Sequence, residues 1–560
     1  MSDEPVYRLV SRRAGTAFYG LTITQLLLAA TGVAGLAVAA VTVGGQIGLL
    51  LGATVLAGSV GLAVVQVGGE PLHALLPLLA RYALTRHGQD LAARAGRRGS
   101  GHRPPPAASP AAGGLATSLP GGLLAGLGVH GIELGDGPPG ALPTVGGPRP
   151  AVIRHRSGAL TVVVDVRGGP FTLLDTAEQH RALAAWARVL AQTARTPGVL
   201  TVGWTLHTHH THADHPRKHL PQIGGASRRP PADRAGHPDR SHSPGRDGHS
   251  THQPRRPPAP AAGRAAPVAL YERLLDDTLL QQHDLRLWIT IDPRRAPGRA
   301  RRTGPEQVAV EAAGSLAARA ADAGLTIHGA LAPARLTTDL TRHLDPTAPR
   351  HATPAQDTTE PAGLAARIGL PGARPATDRP PTPPPATGRE VRWDAVRTGR
   401  TWHRTFWVAG WPTGPLHPGW LEPLLHESPS SRTLTVAFTP LSARASRKRL
   451  NHDTAAADLA LQIRDRHAVR VPDQLARAHA DIRQRDAELS AGHPELAYLA
   501  LLDIAAPEPD ALDAASAEIA DLAARAGIVD LRPLHGRHHH TLAATLPLGL
   551  TVRRAHPGAD

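Results

Sequence analysis

The chain has 560 residues, a formal net charge of +15 and an apolar fraction of 41%, of which little is aromatic. It contains no cysteine, which excludes disulfide bonds, thiolate zinc sites and cysteine catalysis. Gly and Pro number 57 and 54, so long stretches cannot belong to a packed core. The basic charge favours anionic partners, above all lipid headgroups, and no dedicated nucleic-acid-binding motif accompanies it; we expect nucleic acid as an indirect partner at most.

The N-terminal region resembles a membrane anchor. No charged residue lies between Arg13 and Glu70, and crossing the hydrocarbon core of a bilayer takes about 20 apolar residues. We therefore predict two membrane-spanning helices, at about 18–41 and 47–67, joined by a turn at 44–46. The second apolar segment argues against a cleavable signal peptide, which has a single short apolar core.

Positive charges flank the predicted hairpin on both sides and are missing from its turn. Because cytoplasmic flanks of membrane helices carry excess Arg and Lys, we expect the hairpin in the cell (inner) membrane with both termini cytoplasmic. The flanking residues are Arg8, Arg12 and Arg13 before the first helix and Arg81, Arg86 and Arg94 after the second. Small residues that favour close packing of the two helices are Gly35, Gly52, Gly58 and Gly61.

The expected fold class is α+β with an N-terminal transmembrane hairpin, in which ferredoxin-like α/β sandwich units are joined by disordered Pro/Gly/Arg/His-rich linkers. The predicted organisation, in chain order, is a cytoplasmic tail 1–13, the transmembrane hairpin 14–69, a basic juxtamembrane helix 70–96, a linker 97–148, a small β-β-α-β unit 149–206, a disordered His/Arg/Pro-rich insert 207–266, a second α/β unit 267–345, a Pro-rich linker 346–388, an α+β domain 389–550 and a tail 551–560. The juxtamembrane helix is either an amphipathic helix on the inner leaflet or a spacer.

Hydrophobic periodicity and turn residues place the elements of the folded units. In the two small units we predict strands at 160–166, 171–174, 199–206, 284–291 and 325–331, and helices at 176–194, 271–281 and 306–323. In the last unit we predict strands at 401–411, 431–440, 496–504, 528–534 and 542–548, and helices at 420–425, 442–490 (interrupted at Pro472) and 509–525.

The last unit carries a family resemblance. It combines an arriving strand with Trp residues, the strand TLTVAFTPL, a long helical segment, the turn residues Glu488 to His493 (ELSAGH) and a closing TLPL. This block resembles the N-terminal, non-ATPase domain of VirB/TrbE/CagE-type ATPases of type IV secretion and conjugation machines. The N-terminal hairpin resembles the small two-helix VirB/PrgI-like subunit, and the combination is similar to actinobacterial integral membrane proteins of conjugation-like gene clusters.

The resemblance implies a scaffold without its own motor. A phosphate-binding loop places Lys directly after Gly, and neither Lys218 nor Lys448, the two lysines of the chain, follows Gly. In the family that loop comes after the TLPL strand, whereas here the chain ends at Asp560. We expect no enzyme activity and no cofactor, and as partners a separate secretion ATPase and other channel subunits in an oligomeric assembly. An alternative is an EccE-like component of type VII secretion, a family that likewise begins with two membrane helices.

One motif favours an enzyme instead. His210, His212, Asp214 and His215 form H-x-H-x-D-H, the pattern with which metallo-β-lactamase-fold hydrolases bind zinc. The segment is rich in histidine throughout, so the match can arise by chance in an unstructured polar linker, or can bind metal adventitiously.

Three further groups are candidate contact residues. Trp407 and Trp411 are separated by an even offset and would share one face of a strand, with Trp402 on the other; they mark either a partner-binding face or core. Arg444, Arg447, Lys448 and Arg449 form a basic helix face for lipid or an acidic partner, or an ordinary solvated face. His535 and His538 to His540 are expected at an exposed hairpin tip.

Overall fold

The computed structural model shows a mixed α+β protein with two apolar N-terminal helices and one large antiparallel sheet. It describes residues 23–67, 70–73, 75–80, 82–83, 132–138, 142–211, 280–296, 298, 302–346, 390–412, 416–466 and 473–550. The chain divides into two compact units, one of residues 1–208 with 283–560 and one of residues 209–282. Of the second unit, only residues 209–211 and 280–282 are described.

The first two helices, α1 (Ile23–Thr42) and α2 (Gly45–Val64), form an apolar hairpin. Each has 20 residues, which corresponds to about 30 Å and is long enough to cross a bilayer. Gly44 and Gly45 at the turn have φ of +66° and +60°, a conformation that costs little only for glycine. Gln25 packs between the helices and donates a hydrogen bond of 2.7 Å to the carbonyl of Ala63.

The outer surface of this hairpin is apolar, and the largest exposed fractions belong to Val41, Ile47 and Leu50. Length and composition thus make both helices candidate membrane spans. Of the glycines predicted to allow close packing, Gly35 and Gly52 face the other helix at short range, whereas Gly58 and Gly61 have open space on their Cβ side.

The first half of the body follows. Its elements are β1 (Gln66–Val67), β2 (Glu70–Pro71), β3 (Ile132–Asp136), β4 (Thr144–Val145), β5 (Ala151–His155), β6 (Leu160–Arg167), α3 (Thr176–Ala194), β7 (Val199–Thr211), β8 (Leu280–Ile291), α4 (Pro305–Asp322), β9 (Thr326–Leu331) and α5 (Pro333–Leu344). Residues 75–80 and 82–83, after β2, are helical. Asp175 caps α3 with Glu178 in a capping box.

The second half of the body has a related set of elements. It comprises β10 (Glu390–Val391), β11 (Val396–Thr398), β12 (Thr401–Gly410), a π-helical turn (Pro423–Glu427), β13 (Ser431–Pro440), α6 (Ala443–Arg466), α7 (Asp473–Ser490), β14 (Leu496–Ala506), α8 (Pro509–Arg525), β15 (Asp530–Pro533) and α9 (His538–Thr545).

The described strands other than β1 and β2 form a single 13-stranded sheet. In the first half the strands lie side by side in the order β7-β8-β6-β9, and in the second half in the order β13-β14-β12-β15. The halves join where β7 pairs antiparallel with β13, from Thr208 opposite Arg432 to Val202 opposite Phe438.

Helices cover both faces of the sheet. Alternate residues of a strand point to opposite faces, and in β6 Val162 and Val164 pack into the core cluster of α4 while Val163 packs into that of α5. The α5 cluster also contains Leu542 of α9. The helices that end the two halves therefore share one core on one face of the sheet.

Several predicted elements are corrected. Residues 171–173 form a 3₁₀-helix instead of a strand, and none of them is buried. Residues 538–545 form α9 instead of a strand, because a short run that is buried on all sides has no period to distinguish helix from strand. Strands β3 and β4 lie within the predicted linker 97–148. The predicted insert 207–266 begins inside β7, whose polar side chains find partners on the neighbouring strand; the rest of the insert lies outside the described residues.

Candidate functional site

The arm formed by α6 and α7 is an insertion that the sheet does not need. Strands β13 and β14, which it connects, pair along their length from Ser431 opposite Ala505 to Pro440 opposite Leu496. Ion pairs hold the arm together: Arg485 lies 2.8 Å from Asp453 on α6 and 2.6 Å from Glu495 at its base. The arm is therefore a helical insertion held together by its own ion pairs, and it is available for contacts outside the sheet.

The four predicted basic residues occupy the first two turns of α6. Arg444, Arg447 and Lys448 are exposed and Arg449 is half-buried. Among the described residues, none of the four has an ion-pair partner, and the first turn of α6 contains no acidic residue. The structure thus brings these four cations together on one helix end, as predicted.

The predicted tryptophan face is not present as such. A β-bulge between Val408 and Gly410 reverses the alternation, since a bulge inserts one extra residue. Trp411 is consequently buried beside Trp420 and Tyr498 and belongs to the same core cluster as Trp402. The partner-facing prediction is therefore wrong for Trp411, which is a core residue. Trp407 lies half-buried on the other face, with Arg532 above its ring.

An aromatic contact joins the juxtamembrane segment to the second half of the body. The ring of Tyr82 meets Trp393 edge to face at 5.5 Å between centroids, and Trp393 stacks on His535 at 6.1 Å. The amide of Gly536 donates a 2.6 Å hydrogen bond to the Trp393 carbonyl, and a Cβ on Gly536 would lie 2.5 Å from the indole ring. The position requires glycine. We call these residues the anchor junction.

Of the four histidines predicted at an exposed tip, His538 and His539 are buried, and His535 and His540 are half-buried. His538 and His539 lie in α9, 1% and 5% exposed, because α9 packs against the sheet. The backbone amide of Thr405 donates to Nδ1 of His538 at 3.1 Å, so this nitrogen is unprotonated. Burial, together with the nearby cations Arg404 and Arg537, lowers the pKa of His538 well below 6.5.

A buried acid–base pair lies across β12 and β14. His403 Nδ1–H donates to Asp503 at 2.8 Å and Nε2–H donates to the Leu344 carbonyl at 3.0 Å. Both ring nitrogens face oxygen atoms, an arrangement that favours the doubly protonated imidazole. Burial alone lowers the pKa of His403, but the charge and hydrogen bond of Asp503 outweigh it and the net pKa is raised. The pair ties the end of α5 to the second half.

A second buried ionic centre ties α5 to the first half. Arg286 on β8 donates from Nε and Nη2 to Asp339 at 3.0 and 2.7 Å, and from Nη1 to Asp165. Sequence reasoning missed both ionic centres. The signal was available: Asp503 is the lone charge of its strand, and Arg286 lies between leucines in an otherwise apolar run. A charge in such a position is buried only when it is paired.

The predicted zinc ligands are only partly described. His210 lies in β7, and His212, Asp214 and His215 lie outside the described residues. Across the part of the chain that the structure describes, no three His, Asp or Glu side chains are grouped to hold a metal ion. The hydrolase stays a prediction, which zinc content and hydrolytic activity of the wild-type chain and the His212→Ala variant would test.

No protein-family model and no curated protein matches this chain.

Proposed function

We propose that this chain is a membrane-anchored structural subunit of a secretion machine, whose body is held at the bilayer to dock other subunits. The observation that carries the proposal is the apolar hairpin of α1 and α2, followed at once by a segment that packs onto the body through Tyr82 and Trp393. An anchor packed against its folded body favours a positioning role over a tether, since a tether needs no such contact.

The body itself is proposed to be two tandem ferredoxin-like units. Each half has the element order β-α-β-β-α-β, with the short π-helical turn in the place of the first helix in the second half. The side-by-side order of the four strands in each half is second, third, first and fourth. Each half also ends in a helix, α5 or α9, that lies on the face of the sheet opposite to the other helices of that half. Each also has its longest insertion between its second and third strands. Two copies of one ancestral unit account for all four similarities.

The machine proposed first is of the type IV or conjugation-like class. The resemblance of residues 389–550 to the non-ATPase domain of VirB/TrbE/CagE-type ATPases supports it, and the absence of a Gly-Lys pair from the sequence supports a motor supplied by a separate subunit. In this arrangement the hairpin lies in the cell membrane, both termini are cytoplasmic and the subunit works within an oligomeric assembly.

A specific observation favours the second candidate, an EccE-like component of type VII secretion. Residues 390–550 are not a self-contained domain, because β13 continues the sheet through β7 of the first half, and the segment that was expected to close it as a strand is α9. A single body that directly follows two membrane helices fits the type VII alternative.

Two experiments test the proposal. Deleting the gene in its host is expected to abolish export while leaving cytoplasmic ATP hydrolysis by the motor intact, and the solubilised full chain is expected to co-purify with a secretion ATPase. Export that continues without this chain would refute the structural role. The neighbouring genes separate the classes: a coupling ATPase with a polytopic channel subunit indicates type IV, and small WxG-type substrates indicate type VII.

Orientation is tested separately. Protease added to intact spheroplasts is expected to leave the chain beyond residue 100 undigested, because the body faces the cytoplasm. Digestion of that region would contradict the proposed topology.

A further inference from the structure

The charges of the arm fall into two groups. Farther along the arm, Arg485 is paired across the hairpin with Asp453, and His479 is paired with Asp458 at 3.2 Å. Arg444, Arg447 and Lys448 are exposed, and within the described part of the chain no carboxylate pairs with them. This end of α6 therefore presents three neighbouring exposed cations that no carboxylate of the described residues compensates.

The location of these cations is also unfavourable for the helix. The N-terminus of an α-helix carries a partial positive charge, so cations there destabilise it while acidic residues stabilise it. Three exposed cations in the first two turns, with no acidic residue in the first turn, therefore oppose formation of α6. Neither folding nor the arm's own packing explains their presence.

A further cation lies at the same end of the arm. Arg195, which follows α3 and is exposed, donates a 3.1 Å hydrogen bond to the carbonyl of Gly492. Gly492 lies between α7 and β14. Three residues later, the carbonyl of Glu495 accepts a hydrogen bond from the amide of Leu441, just before α6. Arg195, Arg444, Arg447 and Lys448 together form what we call the basic base of the arm.

We propose that the basic base docks an acidic segment of a partner protein within the machine. The inference rests on the proposed function and names the surface that a partner subunit uses. Charge complementarity identifies the occupant, since a segment rich in Asp and Glu would supply the compensation that the helix end lacks.

Charges farther along the arm favour a protein segment over the other anionic partners. Asp458 has half of its side chain exposed, and Asp465, Asp486 and Glu488 are exposed as well. These carboxylates are interspersed with the exposed cations Arg466, Arg477 and Arg483, so a membrane surface or a nucleic acid, which is uniformly anionic over this length, would gain no net attraction beyond the basic base. A protein segment can place acidic residues opposite the basic base alone.

The experiment uses the full chain in its host membrane. The photo-cross-linker benzoylphenylalanine replaces Lys448, and the adducts are mapped by mass spectrometry in the otherwise wild-type chain, in R444E/R447E and in R477E/R483E. The last variant makes the same charge change at exposed residues of α7. We expect adducts with a peptide in which Asp and Glu outnumber Arg and Lys, reduced about tenfold or more in R444E/R447E and retained in R477E/R483E.

Several outcomes would overturn the proposal: adducts with lipid or nucleic acid, adducts with peptides lacking an acidic excess, no adduct, or equal loss in both double variants. Misfolding is controlled because R444E/R447E places acidic residues where the helix favours them, so its level in the membrane should equal that of the wild type. Export assays separate the two proposals. An acidic adduct in a host that exports normally without this chain would refute the structural role and leave the docking surface standing.

Discussion

Tyr82 packs edge to face against Trp393 with 5.5 Å between ring centroids, although one residue follows the apolar hairpin and the other begins the second half of the body. The hairpin precedes the first half in sequence, but the segment after it contacts the second half. This contact is tertiary, so it can be weakened without altering either the two apolar helices or the sheet.

Replacing Tyr82 with Ala should detach the juxtamembrane helix. An aromatic pair of this geometry contributes about 0.5–1.5 kcal/mol, so amide hydrogen exchange of residues 75–83 should accelerate by roughly two- to tenfold. Exchange in the sheet should not change. Leu79→Ala is the matched control, since Leu79 is 42% exposed on the same segment. Equal exchange in wild type and Tyr82→Ala would show that the contact does not fasten the helix.

The His403–Asp503 pair should be visible as a loss of stability at alkaline pH. A histidine whose pKa is raised on folding contributes stability that is fully present below 6.5 and is lost as pH rises through the folded-state pKa. Asp503→Asn should remove this alkaline loss. It should also cost about 3–5 kcal/mol at pH 6, because one member of a buried pair remains without its partner.

Urea unfolding of the detergent-solubilised chain, followed by tryptophan fluorescence from pH 6 to 9, measures both effects. Asp521→Asn provides the control, because Asp521 is exposed on α8; its unfolding should match that of the wild type. A variant at Asp503 that retains the alkaline loss would assign it to another group.

His538 predicts the opposite dependence on pH. Because its pKa is lowered on folding, the unfolded chain binds a proton near pH 6.5 that the folded chain does not. Its contribution to stability is therefore present above pH 6.5 and decreases as pH falls, by at most about 1.4 kcal/mol per pH unit. His538→Gln should flatten this acid limb, since Gln can still accept the Thr405 amide through its oxygen.

The acid limb will not disappear, because burial also lowers the pKa of His343 and lowers that of His155 to about 4. The comparison is therefore between slopes of the unfolding free energy from pH 6.5 to 5. His493→Gln, at an exposed turn residue, should leave the slope unchanged. A His538→Gln slope equal to that of the wild type would contradict the assigned protonation state.

Local sequence patterns predicted those helices and strands whose periodicity and terminal residues are distinctive. The predicted strand 431–440 and helix 509–525 have the bounds found for β13 and α8, since alternation and Pro at the first helical turn mark them directly. Pairing between β7 and β13 could not be predicted, because their residues are separated by more than 200 positions and no local pattern encodes the partner. The same holds for His403 and Asp503, whose burial depends on each other.

Gly52 and Gly58 provide the sharpest test of how the apolar hairpin packs. A Cβ on Gly52 would lie 2.8 Å from Cα of Leu36, and a Cβ on Gly58 would meet nothing within 4 Å. Gly52→Val should therefore force the helices apart at a cost of about 1–3 kcal/mol, whereas Gly58→Val should be tolerated. Both changes add the same apolar volume and β-branching to α2. Thermal unfolding in detergent, followed by size-exclusion chromatography, gives a midpoint for each variant. A lower midpoint for Gly52→Val alone would therefore report the contact between the two helices. Equal midpoints would mean that α1 and α2 do not pack through this face, and that Gly52 has no greater role than Gly58.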